Sequence, residues 1–221
     1  MSRAADGGET MTISVSIHRS DSNWVDYKVP EIEGATVLEI LTYIYENMDS
    51  TLAFRPGCRM DMCGLCGVEV NDKPVMACTT KIKDGMKIAP LKHLPIVRDL
   101  VIDRVKLFEA LRELDIFIPE QEHRSEPQII RQTIAHVKLL ECVECLACNS
   151  VCTKYDFEKN PLAGPFVFVK LAQLHFDPRN QIDRREQAKR LGVDECAECR
   201  QCYCIHGINI HRHAINVLKS G

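Results

Sequence analysis

Apolar residues fall at every second position in TISVSIHRS (12–20), where Ile13, Val15 and Ile17 alternate with polar neighbours, the pattern of a half-buried strand. Residues 24–29 predict its partner across a polar turn. Gly34 then breaks the chain, and Thr36-Val-Leu-Glu39 has the spacing of a capping box for a helix running to about Met48. Along it Val37, Leu38, Leu41, Ile44, Tyr45 and Met48 form one apolar face. Two short strands are expected at 67–70 and 75–78, joined by Asn71-Asp72-Lys73. From about Arg98 the pattern becomes helical. Asp99 can cap a helix through Leu114, and 128–140 predicts another, with Ile129, Ile130, Ile134, Val137 and Leu140 as its buried stripe. PEQEHRSEP (119–127) between them is polar and proline-bounded, as in a surface connection. Further helices are expected at 165–176, 184–191 and 210–218. The change of period puts a domain boundary near residue 98, with a β-rich unit over 1–98 and an α-helical unit over 99–221, an α+β chain.

Composition narrows the function. With 28 basic residues against 31 acidic and no Lys/Arg run, a nucleic-acid footprint is not expected. MSRAADGGET lacks a signal-peptide apolar core, and no segment reaches the roughly 18–20 apolar residues that span a bilayer. A cytoplasmic chain is expected, reaching the cytoplasmic face of a membrane only through partners. No nucleotide-binding glycine loop follows a strand, and the eight histidines have neither metalloprotease nor triad spacing. No catalytic residue is therefore expected in this chain. His211 and His213, at i,i+2 in IHRHAI, do not share a helix face and read as surface residues.

The outlying feature is twelve cysteines in three groups of four. Without a secretory signal, iron–sulfur ligation is favoured over a disulfide framework or structural zinc. Cys58-x4-Cys63-x2-Cys66-x11-Cys78 has plant-type [2Fe–2S] spacing. Three thiolates must wrap one side of a flat two-iron core, and Gly57, Gly64 and Gly67 suit a tight loop. The fourth is expected from the next strand.

The residues around this group carry a resemblance. GCRMDMCGLCGVEVN, PVMACTT, DGMKIAPLKHLPIVRDLVID and two later cysteine runs resemble the iron–sulfur subunits of succinate dehydrogenase and fumarate reductase, nearer the latter, over about residues 12–218. The resemblance implies an N-terminal β-grasp [2Fe–2S] ferredoxin domain followed by an α-helical, bacterial-ferredoxin-like domain. It also implies electron relay between an FAD-containing flavoprotein subunit and a second redox partner, either a membrane subunit or a soluble protein. The substrate it implies for the flavoprotein is a dicarboxylate such as fumarate or succinate.

Cys142-x2-Cys145-x2-Cys148-x3-Cys152 has bacterial ferredoxin spacing, in which the fourth cysteine serves the neighbouring cluster. Thr153 stands where a proline usually follows. The second run, Cys196-x2-Cys199-x2-Cys202-x-Cys204, departs from the family's C-x5-C-x3-C-P, whose lack of a cysteine at the position of Cys199 leaves a three-iron centre. Here Cys152, Cys196, Cys199 and Cys202 make a full quartet, favouring [4Fe–4S] over [3Fe–4S], and Cys204 crosses back to join Cys142, Cys145 and Cys148. His206 is the rival for that crossing position, since imidazole can replace thiolate on iron. Quinone-reducing relatives carry a tryptophan soon after the fourth cysteine of the first run and often a histidine after the first cysteine of the second. This chain has TKYDFEKNP (153–161) and Ala197, and its one tryptophan is Trp24. Tyr155 and Phe157 read as core residues rather than quinone walls. Ordinary quinone chemistry is not expected. A free-standing multi-cluster ferredoxin and a flavoenzyme subunit with another substrate are the alternatives.

Overall fold

Ile13, Val15 and Ile17 point to one side of β1 (Thr12–His18), as their alternation requires, and are buried. A computed structural model describes residues 11–118, 131–196, 198–199 and 201–219. β1 pairs antiparallel with β2 (Trp24–Pro30) and parallel with β5 (Met86–Ala89). β3 (Gly67–Val70) pairs antiparallel with both β4 (Lys73–Met76) and β5, giving a mixed sheet of order β2-β1-β5-β3-β4. The β3–β4 turn is two residues long. Asn71 and Asp72 take φ of 49° and 63°, the twist a two-residue hairpin needs, so β4 begins at Lys73 and ends before Cys78.

Helix α1 (Val37–Asn47) lies on this sheet and begins at the expected capping box. Thr36 Oγ1 accepts from Glu39 N at 3.3 Å, and Glu39 Oε2 accepts from Thr36 N at 2.7 Å. Thr36→Ala should cost about 1 kcal/mol, read as a lowered denaturant midpoint at unchanged slope. The buried face is Val37, Leu38, Ile40, Leu41 and Ile44. At 100° per residue Ile40 shares their arc, whereas Met48 lies past the helix end and Tyr45 turns outward against Phe54.

Asp99 does not cap a helix. It sits at φ 46° in the turn between two short strands, β6 (Ile96–Arg98) and β7 (Val101–Ile102), and is 2% exposed. Its carboxylate accepts from Ser20 N and Ala53 N and pairs with Arg19, tying the turn to the sheet. Four residues on, Asp103 caps α2 (Arg104–Ala110), which tightens into a 3-10 turn, Leu111–Leu114.

Thr133 caps α3 (Ile134–Leu140), so the expected start at 128 is replaced; Ile129, Ile130 and 119–127 lie outside the described residues. The expected stripe faces solvent. Ile134 is 82% exposed, Val137 45% and Leu140 50%, while His136 and Leu139 turn inward. The partner decides this: Phe176 stacks on His136 at 5.9 Å, and Gln173 of α5 (Pro165–His175) donates to Leu139 O. α4 (Ala147–Ser150) is one turn long, α5 is buried on most of its circumference, and Asp183 caps α6 (Arg184–Arg190). The closing segment is a π-helical turn, His211–Ile215, running into α7 (Asn216–Lys219), and His211 and His213 are half-buried.

One core lies between sheet and α1, and a second is built around α5. The two interlock, since Leu91 and Leu94 belong to the helical core and Cys145 and Ala147 to the sheet core.

Candidate iron–sulfur centres

The loop carrying the first cysteines turns on left-handed Arg59 and Asp61, at φ 61° and 62°, and on Gly64 at 67°. This aims backbone donors at sulfur. Met60 N and Met62 N lie 3.5 and 3.3 Å from Cys58 Sγ, and Cys58 N lies 3.4 Å from Cys63 Sγ. The two donors hold the Cys58 thiol down to about 7. Gly57 and Gly67 serve space rather than φ. A Cβ on Gly57 would sit 2.5 Å from Cys63 Sγ, and one on Gly67 would be 3.2 Å from Cys145 O. Cys66 and Cys78 are buried behind the loop, Cys78 just beyond the end of β4. Burial pushes the Cys66 thiol up to about 12, so a thiolate there depends on the charge of bound iron.

The later cysteines meet in two sets. Cys142, Cys145, Cys148 and Cys204 line one cavity, floored by Phe166, Val169 and Ile208. Cys152, Cys196, Cys199 and Cys202 line another, together with Lys154, Arg190, Glu195 and Gln201. Cys152 thus borders the cavity of the second run and Cys204 that of the first. His206 borders the same cavity as Cys204, and its Nδ1 lies 3.7 Å from Asp61 Oδ2. Burial raises the thiols of Cys145, to about 11, and Cys202, to about 12, and lifts Cys148 well above its ordinary value. None of the twelve cysteines is paired in a disulfide. Among the described residues no three His, Cys, Asp or Glu side chains close on a single ion's position. The later sulfurs surround voids, which suits a polynuclear core.

The first loop packs directly on the second. Gly64 and Gly67 abut Val143 and Cys145, so the Cys63–Cys66 turn and the Cys142–Cys145 turn touch through backbone. A second tie lies behind: Ser150 Oγ donates to buried Glu69, Lys92 N donates to Ser150 Oγ at 2.9 Å, and Lys92 Nζ pairs with Glu69 at 3.0 Å. Sequence reading missed this tie. Tyr155 is buried, its hydroxyl donating to Pro161 O, and Phe157 packs on the helical core, as expected of both. Trp24 is half-exposed on β2, edge-on to His18 and under Lys87.

A mixed sheet with helices, joined to a cysteine loop ringed by backbone donors, defines an iron–sulfur protein with a ferredoxin-like region. A sequence profile for the 2Fe-2S iron-sulfur cluster binding domain matches residues 13–109. The chain is 32% identical to the fumarate reductase iron-sulfur subunit of Mycobacterium tuberculosis, over 72% of this chain and 69% of that one. It belongs to the family of fumarate reductase and succinate dehydrogenase iron–sulfur subunits. One subunit of the fumarate reductase (CoM/CoB) of Methanothermobacter marburgensis is 30% identical over 88% of this chain and 40% of its own length. The chain spans about two fifths of the length of the archaeal relatives it matches. A chain of the Mycobacterium smegmatis Sdh1 complex in the apo form superposes with a TM-score of 0.84 at 26% identity, covering 95% of both.

Proposed function

We propose that this chain is the electron-transfer subunit of a fumarate-reductase-like or succinate-dehydrogenase-like complex. It would comprise a [2Fe–2S] unit over 1–98 and a helical unit with two cubane sites over 99–221. The observation that carries this reading is the contact between cysteine loops, which puts the first site against the second, while Cys152 and Cys204 each cross into the other later set. Each bound cluster supplies a one-electron couple. The chain contributes thiolates, backbone donors at Cys58 and Cys63, and apolar walls that keep water from Cys145. Cys58, Cys63, Cys66 and Cys78 hold the [2Fe–2S] cluster. Cys142, Cys145, Cys148 and Cys204 hold the first cubane, and Cys152, Cys196, Cys199 and Cys202 the second. Substrate chemistry, on a dicarboxylate such as fumarate or succinate, belongs to an FAD-bearing partner. Among the described residues no helix is long and apolar enough to cross a membrane. A peripheral position at the cytoplasmic face, held through partners, is proposed.

Lys154, Arg190 and Glu195 give the cleft at the second quartet charged groups on which a polar partner can dock, beside an apolar side of Pro165, Phe168 and Leu191.

Electron paramagnetic resonance of the anaerobically purified protein, oxidised and then dithionite-reduced, tests the assignment. A reduced [2Fe–2S] signal, two interacting reduced cubanes and no oxidised three-iron signal are expected. An oxidised three-iron signal in the unaltered protein would refute the role given to Cys199. Cys199→Ser should create that signal. Cys204→Ser should abolish one cubane, and His206→Ala should retain all iron; the reverse pair of outcomes would transfer the ligand role to His206.

A further inference from the structure

Arg104 breaks local rules. It is the first residue of α2, where the helix dipole disfavours a cation, and its guanidinium is partly buried. Its hydrogen bonds go to main-chain carbonyls: Nη2 donates to Glu144 O at 2.6 Å and Nη1 to Gly64 O at 3.4 Å. Those acceptors lie on different cysteine loops, Gly64 between Cys63 and Cys66, and Glu144 between Cys142 and Cys145. The Glu144 carboxylate is paired elsewhere, with Lys170 of α5. Burial works against the guanidinium charge and outweighs the support it draws from nearby Glu144, Cys145 and Cys63, the two cysteines coming one from each loop. The plane is steadied from below, since Cζ sits 5.7 Å from the Phe108 ring, which meets Phe166, the floor of the first cubane cavity, edge-on at 6.2 Å.

We propose that Arg104 is a positioning residue for electron passage: its guanidinium clasps the two cysteine loops and places a fixed positive charge between them. Two consequences follow from the geometry, both resting on the cluster assignment above. A fork-shaped donor that bonds both loops fixes their separation, and electron transfer falls steeply with distance. A cation beside both sites favours the reduced, more negative state at each, raising both potentials. Arg keeps its charge at any working pH, and its fork cannot be reproduced by an ammonium.

The test uses the anaerobic full-length protein with Arg104→Gln, Arg104→Lys and, as control, Arg112→Gln, an exposed arginine in the following turn. Iron and sulfide content, spectroscopic redox titration and the magnetic interaction between reduced clusters are read together. Arg104→Gln should lower the potentials of the [2Fe–2S] cluster and the first cubane, leave the second cubane nearly unmoved, and weaken the magnetic interaction. Arg104→Lys should restore most of the potential but not the interaction. Arg112→Gln should change neither. Unshifted potentials in an Arg104→Gln protein with full iron overturn the electrostatic role. Should Arg104→Gln lose its iron, Arg104→Lys decides: an interaction equal to wild type overturns the clasp, and a weakened one at near-native potential supports it. A wild-type protein without reduced [2Fe–2S] and cubane signals fails the cluster assignment itself and takes this role down with it.

Discussion

Gly64→Ala should lower stability by about 4 kcal/mol and strip iron from the first two sites, whereas Gly85→Ala should cost only about 1 kcal/mol. Both glycines have positive φ, 67° and 73°, so an added Cβ meets similar backbone strain at each. They differ in surroundings. Around Gly85 a Cβ would meet nothing within 4 Å; at Gly64 it would land on Val143 O and lie 2.9 Å from Cys145 N. Those are main-chain atoms of the neighbouring cysteine loop, and no rotamer change can move them aside. The loops must part, pulling Arg104 away from one of its two carbonyls. Paired thermal melts with iron counts check this, the expected gap in midpoint being about 10 °C. Equal losses in the two variants would mean that the loop contact contributes nothing beyond φ strain.

That contact could not be read along the chain, because it joins residues far apart in sequence. The legible parts are those written locally. Alternation gives β1, the capping box gives the start of α1, and cysteine spacing marks the segments whose sulfurs border the two later cavities. The tight first loop is also legible, but its cause is only partly so. Glycine marks Gly64 and aspartate weakly marks Asp61, whereas nothing in the letters marks Arg59 as left-handed. α3 failed for a different reason. Ile134, Val137 and Leu140 have helical spacing, yet the inward face is set by Phe176 and Gln173, which belong to a later segment. The expected cap, Asp99, is claimed by the β6–β7 turn through its bonds to Ser20 and Ala53, and Asp103, four residues on, caps α2 instead.

Arg184 is the least legible residue of large consequence. As the first residue of α6 it reads as an ordinary surface cation, yet it is 0% exposed. Nη1 donates to Leu114 O at 2.9 Å, and Nη2 to Asp115 O at 3.0 Å and Phe117 O at 3.1 Å. Nε donates to Asn180 Oδ1, and Nη1 also reaches Gln187 Oε1. The carbonyls it serves close the 3-10 turn after α2, where the chain reverses at left-handed Asp115 and no helix remains to satisfy them. Arg184→Ala takes the donor from Phe117 O, leaves Leu114 O and Asp115 O with only Gln187 Nε2 and Phe117 N, and opens a cavity, a loss of about 3 kcal/mol. Arg184→Lys should lose about half as much, since an ammonium keeps the charge but cannot reach three carbonyls in a plane. α6 runs through Gly192 into the turn Val193–Cys196, so loosening it should release iron from the second quartet before the first. Mild heating of Arg184→Lys should therefore remove one cubane signal while the [2Fe–2S] signal persists. Simultaneous loss of all three signals would show that the two cores unfold as one, and that Arg184 holds the whole chain rather than the helical end.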